Sequence, residues 1–137
     1  MDNCLFCKIV ANAIPSYTVY KDEYTHAFLD IMPRVSGHTV VILRKHGWTI
    51  LDYAPEELSH LMETVQKVVI ALTNVYKTEI FTIGSNHKEP LGVHHLHIHI
   101  MPRFPDDKGG VIQSIVETEV KEPLTDIAKK IQQAIKS

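Results

Sequence analysis

His95, His97 and His99 occupy alternate positions in the segment Val93-His94-His95-Leu96-His97-Ile98-His99-Ile100-Met101. Alternate side chains of a β-strand share a face, so the three imidazoles would stand in one row while Leu96, Ile98 and Ile100 turn toward a core. Same-face neighbours lie roughly 6.5–7 Å apart along a strand. Three rings at that spacing can act on one small anion or metal ion, whereas on a helix they would spread around the barrel. Three readings of the row follow. A catalytic zinc takes three protein ligands and an open position, often with a carboxylate base nearby. No acidic residue lies within the row, and Glu89 stands in the loop before it. Alternatively, one imidazole attacks phosphorus while the others orient it or hold phosphate oxygens. The third reading, a merely solvated face of an edge strand, requires histidine at three alternate positions by chance.

A phosphorus-directed site also needs donors for phosphate oxygens and a carboxylate for ribose hydroxyls. Asn86, Gly92 and the backbone around them are candidate donors. Asp30, which closes the run Ala27-Phe28-Leu29, is a candidate ribose acceptor, although taken alone it reads as a turn residue. A second motif, Cys4-x-x-Cys7, reads as a redox dithiol, half of a zinc site, or two small apolar residues of a helix. A redox pair normally follows a strand in a βαβ unit, and none precedes residue 4. A structural zinc needs two further ligands.

Every one of these groups has to be positioned by a single small fold. The 137-residue chain is 45% hydrophobic and 22% charged, with a net charge of -2, as expected for one globular domain over residues 1–137. That balance lacks the basic footprint of a nucleic-acid binder. No run approaches the ~18 apolar residues of a membrane span. The first residues lack the charged and apolar regions of a signal peptide. The expectations are no nucleic acid, no membrane, and a cytoplasmic protein whose two thiols are reduced. Histidine is the unusual count, with nine in all and four of them between positions 94 and 99.

Residues 5–13 read as a short helix ending before Pro15. Residues 18–20 and 26–29 read as two strands of a hairpin, residues 33–37 as a loop, and residues 39–43 as a buried strand. Pro55, Glu56 and Glu57 suit a helix start. The apolar positions from Leu58 to Tyr76 keep helical spacing throughout. A strand at 79–84, a polar loop at 85–92 and the histidine strand follow. Residues 103–110 read as exposed loop, and 111–120 as a strand or an irregular excursion. From Pro123 onward the pattern is that of a C-terminal helix. The fold class is α+β, a mostly antiparallel sheet of about five strands with one long helix and a C-terminal helix.

His95-Leu96-His97-Ile98-His99-Ile100-Met101 resembles the His-x-His-x-His-x-x pattern of the histidine-triad (HIT) family of nucleotide-binding hydrolases and transferases. The likeness extends to Cys4-Leu5-Phe6-Cys7-Lys8-Ile9-Val10, Ile14-Pro15-Ser16, Ala27-Phe28-Leu29-Asp30-Ile31-Met32-Pro33, Gly37-His38-Thr39-Val40-Val41-Ile42 and Met101-Pro102-Arg103. It covers residues 4–104 in family order, leaving 105–137 as a C-terminal extension, and is nearest the Hint-like branch.

The resemblance implies that His97 attacks the α-phosphorus of a nucleotide conjugate and that water hydrolyses the nucleotidyl-histidine so formed. His99 would hold the α-phosphate. Asp30 and Ile31 would line the nucleoside pocket, with Asp30 on the ribose and Phe28 near the base. Asn86 corresponds to the asparagine ahead of the phosphate loop. The implied activity is release of a purine nucleoside 5′-monophosphate from phosphoramidates. Dinucleoside polyphosphate hydrolysis, a nucleotide-binding module with little turnover and a zinc hydrolase using all three histidines are the alternatives. A structural zinc on Cys4, Cys7, His46 and His95, no organic cofactor, and a homodimer joined through the long helix and an edge strand are also implied. One departure stands out: Leu91 and Gly92 replace the family's usual glutamine and hydroxyl, leaving His87, Lys88 and His94 as substitute donors, of which His94 is the weaker because on a regular strand it faces away from the triad. His26 and His60 read as surface residues and His38 as a supporting or packing residue.

Overall fold

The computed structural model describes residues 3–136. Five strands, β1 (Thr18–Lys21), β2 (Thr25–Leu29), β3 (Thr39–Leu43), β4 (Phe81–Gly84) and β5 (His97–Pro102), form one antiparallel sheet in the order β1-β2-β3-β5-β4. A short helix α1 (Leu5–Val10) precedes β1, the long helix α2 (Pro55–Tyr76) joins β3 to β4, and α3 (Leu124–Ala134) closes the chain. This is the expected α+β layout.

Both faces of the central strands are covered, so β3 is buried throughout and apolar after Thr39. On one face Ala27, Val41, Leu43 and Ile100 pack against Leu61, Val65, Val68 and Leu72 of α2. Those helix positions recur every three or four residues and so form a single stripe, each burial contributing about 1.5–3 kcal/mol. Pro55 opens α2, and the Glu57 carboxylate accepts the N–H of Ala54 at 2.9 Å, which satisfies an orphan donor of the first turn. On the other face Phe28, Val40 and Ile42 meet Phe6 and Ile9 of α1. Val40 pairs with His99 and Ile42 with His97, so both histidines point to this α1 side.

Several expectations need correction. Helix α1 stops at Val10 rather than residue 13, while of the two readings of 111–120 the irregular one matches: a short 3-10 turn, Ile112–Ser114, and no strand among the described residues. His26 is buried, 3% exposed, with its Nε2 2.8 Å from the Thr18 hydroxyl. The histidine strand begins at His97, not before His95. The N–H of His95 turns back to the Val93 carbonyl at 2.9 Å, and that of Leu96 donates to Gly47 at 2.8 Å. No helix of the described residues is long and apolar enough to cross a membrane.

Candidate active site

His97 opens β5, and its Nδ1 lies 2.6 Å from the main-chain carbonyl oxygen of His95. A carbonyl only accepts, so Nδ1 carries the proton and Nε2 keeps its lone pair. The ring is walled by Phe6, edge-on at 5.2 Å between centroids, and by His99 at 5.0 Å.

The tautomer of His99 is fixed through a neighbour. Arg34 donates its backbone N–H to Nδ1 of His38 at 3.1 Å. The proton of neutral His38 therefore sits on Nε2, which is 2.9 Å from Nδ1 of His99. His99 must accept there and carry its own proton on Nε2. Burial drives the His99 imidazole down to about 4, helped by the nearby His97 and His38 and opposed by Asp30. His38, 3% exposed, is lowered by burial as well. His99 is thus a neutral donor at neutral pH.

Asp30 ends β2. Its Oδ1 accepts the N–H of Met32 at 2.8 Å, and Oδ2 lies 3.6 Å from Nε2 of His38 and 3.8 Å from Nδ1 of His99. Asp30, His38 and His99 converge closely enough to suggest a metal cradle. His38 already accepts at Nδ1, however, and cannot offer Nε2 as well, so the group is a hydrogen-bond chain. Beside it, Gly37 has φ +85, and a Cβ there would come within 2.5 Å of the Tyr76 ring. Only glycine makes this turn into His38 without strain. Ile31 is 74% exposed, whereas Phe28 is buried and packs edge-on against Phe6 at 5.2 Å.

His95 faces a different set of partners. It is fully buried, its Nε2–H donates to the Leu43 carbonyl at 2.7 Å, and its Nδ1 lies 3.5 Å from the Cys4 sulfur and 3.6 Å from that of Cys7. Nδ1 of His46 is 3.2 Å from Cys7 Sγ. A tetrahedral zinc with bonds of about 2.3 Å to sulfur and 2.0–2.1 Å to nitrogen separates such donors by about 3.5 Å. These four residues therefore fit a tetrahedral metal ion. Burial, reinforced by Cys4, pushes the Cys7 thiol up to about 11. Burial lowers His95 to about 4, with His46 and His97 adding to it, so an unprotonated Nδ1 is available as a ligand. Tyr53 braces this corner by donating its hydroxyl to the Lys45 carbonyl at 2.8 Å. Gly47 allows the close approach, since a Cβ there would meet the Tyr53 ring at 2.6 Å.

The loop from β4 to β5 carries Asn86 and Gly92, which line one small cavity with Trp48, Glu89 and His97. Leu91 is 96% exposed. His94 stacks on Trp48 at 4.2 Å, and the Lys88 ammonium sits 5.7 Å over the same indole. The three triad imidazoles do not converge on one metal. Phe6 carried no signal as a wall of the site, whereas His38, expected as a supporting or packing residue, supports His99 directly. The signal for His38 was its place just ahead of β3, two residues before Val40, the partner of His99.

Comparison with known proteins gives the site its context. The HIT domain family matches residues 11–106. The chain is 33% identical to the adenosine 5′-monophosphoramidase HNT1 of Saccharomyces cerevisiae, over 80% of this chain and 67% of that protein. A HIT family member from Bacillus subtilis has a crystal structure that aligns with TM-score 0.85 at 32% identity, covering 98% of this chain and 99% of that one. A zinc-bound histidine triad family protein from Mycobacterium smegmatis aligns with TM-score 0.72 at 31% identity, over 78% of this chain and 79% of that one. The family match spans most of the chain and contains His95, His97 and His99, and it leads to one conclusion: the chain belongs to the HIT family.

Proposed function

We propose that this HIT protein is a hydrolase that releases a purine nucleoside 5′-monophosphate from phosphoramidates and related conjugates. The observation that carries the reading is the opposed pair of tautomers at the site. His97 has a free lone pair on Nε2, and its neighbour His99 has a proton on Nε2. A nucleophile and a neutral donor side by side suit attack on a phosphate ester carrying negative charge. His97 Nε2 forms a bond to the α-phosphorus, and the phosphorus–nitrogen bond breaks. The amine leaves with that electron pair and a proton from solvent. Water then attacks phosphorus, its oxygen–phosphorus bond forms, its proton passes to solvent, and His97 departs with its electron pair. His99 and the amides near Asn86 and Gly92 hold the phosphate oxygens, while Asp30 accepts from the ribose hydroxyls with Ile31 and Phe28 bounding the nucleoside.

In this proposal a structural zinc sits on Cys4, Cys7, His46 and His95, supported by the spacing of those donors, and no organic cofactor takes part. When bound, the ion supplies a fixed cross-link and no chemistry on the substrate. The thiols of such a site stay reduced in the cytoplasm, where we assign the protein. The working unit is a homodimer. The support is the position of β4 at the sheet edge and the exposure of Ile70 and Val75 on α2, 63% and 68%.

The test is a rapid quench with an adenosine 5′-phosphoramidate followed by mass spectrometry. An adenylyl adduct on His97 that turns over supports the hydrolase. Dinucleoside polyphosphates run in parallel test the alternative substrate class. Tight nucleotide binding with neither adduct nor turnover would leave a binding module, the reading favoured by the missing side-chain donors at Leu91 and Gly92.

A further inference from the structure

The loop between β4 and β5 holds an acidic side chain that the reaction above does not use. One carboxylate oxygen of Glu89, Oε1, accepts the N–H of Leu91 at 2.8 Å. The other, Oε2, lies against Gly92, where an added Cβ would come within 2.6 Å of it. Gly92 has no positive φ, so the backbone does not demand glycine there. The absent side chain makes the space that Oε2 fills. Among the described residues no Lys, Arg or His is within ion-pair distance of Glu89.

Glu89 lines a cavity of about 20 Å³ with Trp48, Asn86 and His97, room for about one water. Asp30 and His38 line a different cavity. In the sheet, β5 lies between β3 and β4. Asp30 and His38 come from the turn between β2 and β3, and Glu89 from the loop between β4 and β5, which reaches Trp48 beyond the end of β3. The two carboxylates therefore line separate cavities, and of these only the Glu89 cavity includes His97. If the nucleoside takes the Asp30 cavity, the Glu89 carboxylate is left on the nucleophile's own cavity, within electrostatic reach of the group expelled from phosphorus.

We propose that Glu89 selects the departing group, favouring conjugates whose leaving amine carries a further positive charge and disfavouring anionic leaving groups such as phosphate. The proposal rests on the hydrolase reading for its substrates. Glu89 forms no bond and moves no proton in it; its action is electrostatic, and a salt-dependent preference of roughly five- to tenfold is expected of one partly exposed charge pair.

Two adenosine 5′-phosphoramidates of equal length test it, one made from ethylenediamine with its free ammonium and one from propylamine. The expected kcat/KM ratio favours the ammonium amide by roughly five- to tenfold in the natural chain. It falls to about one in Glu89→Gln and is partly kept in Glu89→Asp. Calorimetric affinities for both amides are measured in His97→Ala with and without Glu89→Gln, so a binding preference is read without turnover. A ratio near one in the natural chain, or one unchanged by Glu89→Gln, overturns the proposal while leaving the hydrolase standing. A binding preference that Glu89→Gln abolishes, with no turnover of either amide, upholds Glu89 and refutes the hydrolase. Neither turnover nor preference overturns both.

Discussion

His38→Ala should damage the reaction through a proton on another residue. In the natural chain His38 Nε2–H holds Nδ1 of His99 as an acceptor at 2.9 Å. Removing that donor leaves the Asp30 carboxylate, 3.8 Å away, as the nearest polar partner of His99 Nδ1. The proton of His99 then moves to Nδ1, where a bond to a carboxylate is worth about 1.5–3 kcal/mol. At 1.36 kcal/mol per factor of ten, about 10- to 100-fold fewer molecules keep the Nε2 proton. The rest aim a lone pair at a negatively charged oxygen. The kcat for an adenosine 5′-phosphoramidate should fall by the same factor. The Arg34 N–H loses its acceptor as well, costing about 1–3 kcal/mol of stability. In His38→Gln the amide NH₂ restores the donor to His99 but not the acceptor for Arg34. Catalysis should recover by about tenfold over His38→Ala while the stability loss persists. Nitrogen-15 shifts of His99 report the tautomer directly. A natural-type kcat and an unchanged His99 tautomer in folded His38→Ala would refute the reasoning.

Cys7→Ser should abolish stoichiometric zinc in protein purified under reducing conditions and lower the thermal midpoint, read by metal analysis and calorimetry; zinc retained at one per chain would sink the assigned ligands. Acid should destabilise the fold. An unfolded histidine takes up a proton near 6.5, whereas folded His99 does so only near 4, so stability is full above about pH 6.5 and declines as pH falls toward 4. His99 alone accounts for about 2 kcal/mol at pH 5, with His26 and His38 acting in the same direction. Urea midpoints at pH 7.5 and 5 measure this, and equal stability would contradict it. Gly37→Ala combines a left-handed backbone with a clash against Tyr76 and should cost about 2–4 kcal/mol. Ile70→Glu should leave a monomer by sedimentation if α2 forms the dimer face; an unchanged dimer would place the interface elsewhere.

Elements with one clear period were legible in the sequence. Helix α2 spans Pro55–Tyr76, the expected range, because a proline start and a long 3.6-residue stripe agree. Strand β3 was equally plain as an apolar run. The break at His95 left no mark on the pattern, since Leu96 still packs in the same core as Ile100 although the chain there has left the sheet. What bends it is tertiary: the Leu43 carbonyl claims one ring nitrogen of His95 and the Gly47 carbonyl claims the N–H of Leu96. His26 was misjudged because alternation implies a wet face, and here α1 covers the side that would have been wet. His38 was underrated because its importance comes from cross-strand register, which no local spacing records.

Every proton in the triad is assigned, directly or through one relay, by a main-chain atom: the carbonyls of Leu43 and His95 and the N–H of Arg34. Main-chain atoms cannot be mutated away. The protonation pattern of the site should consequently outlast wide drift in the surrounding side chains, and the α2-facing half of the sheet can be repacked without disturbing it. His38 is the single side chain through which that pattern is transmitted. Among variants that keep the strand register, it is the one position where the wiring itself is open to change.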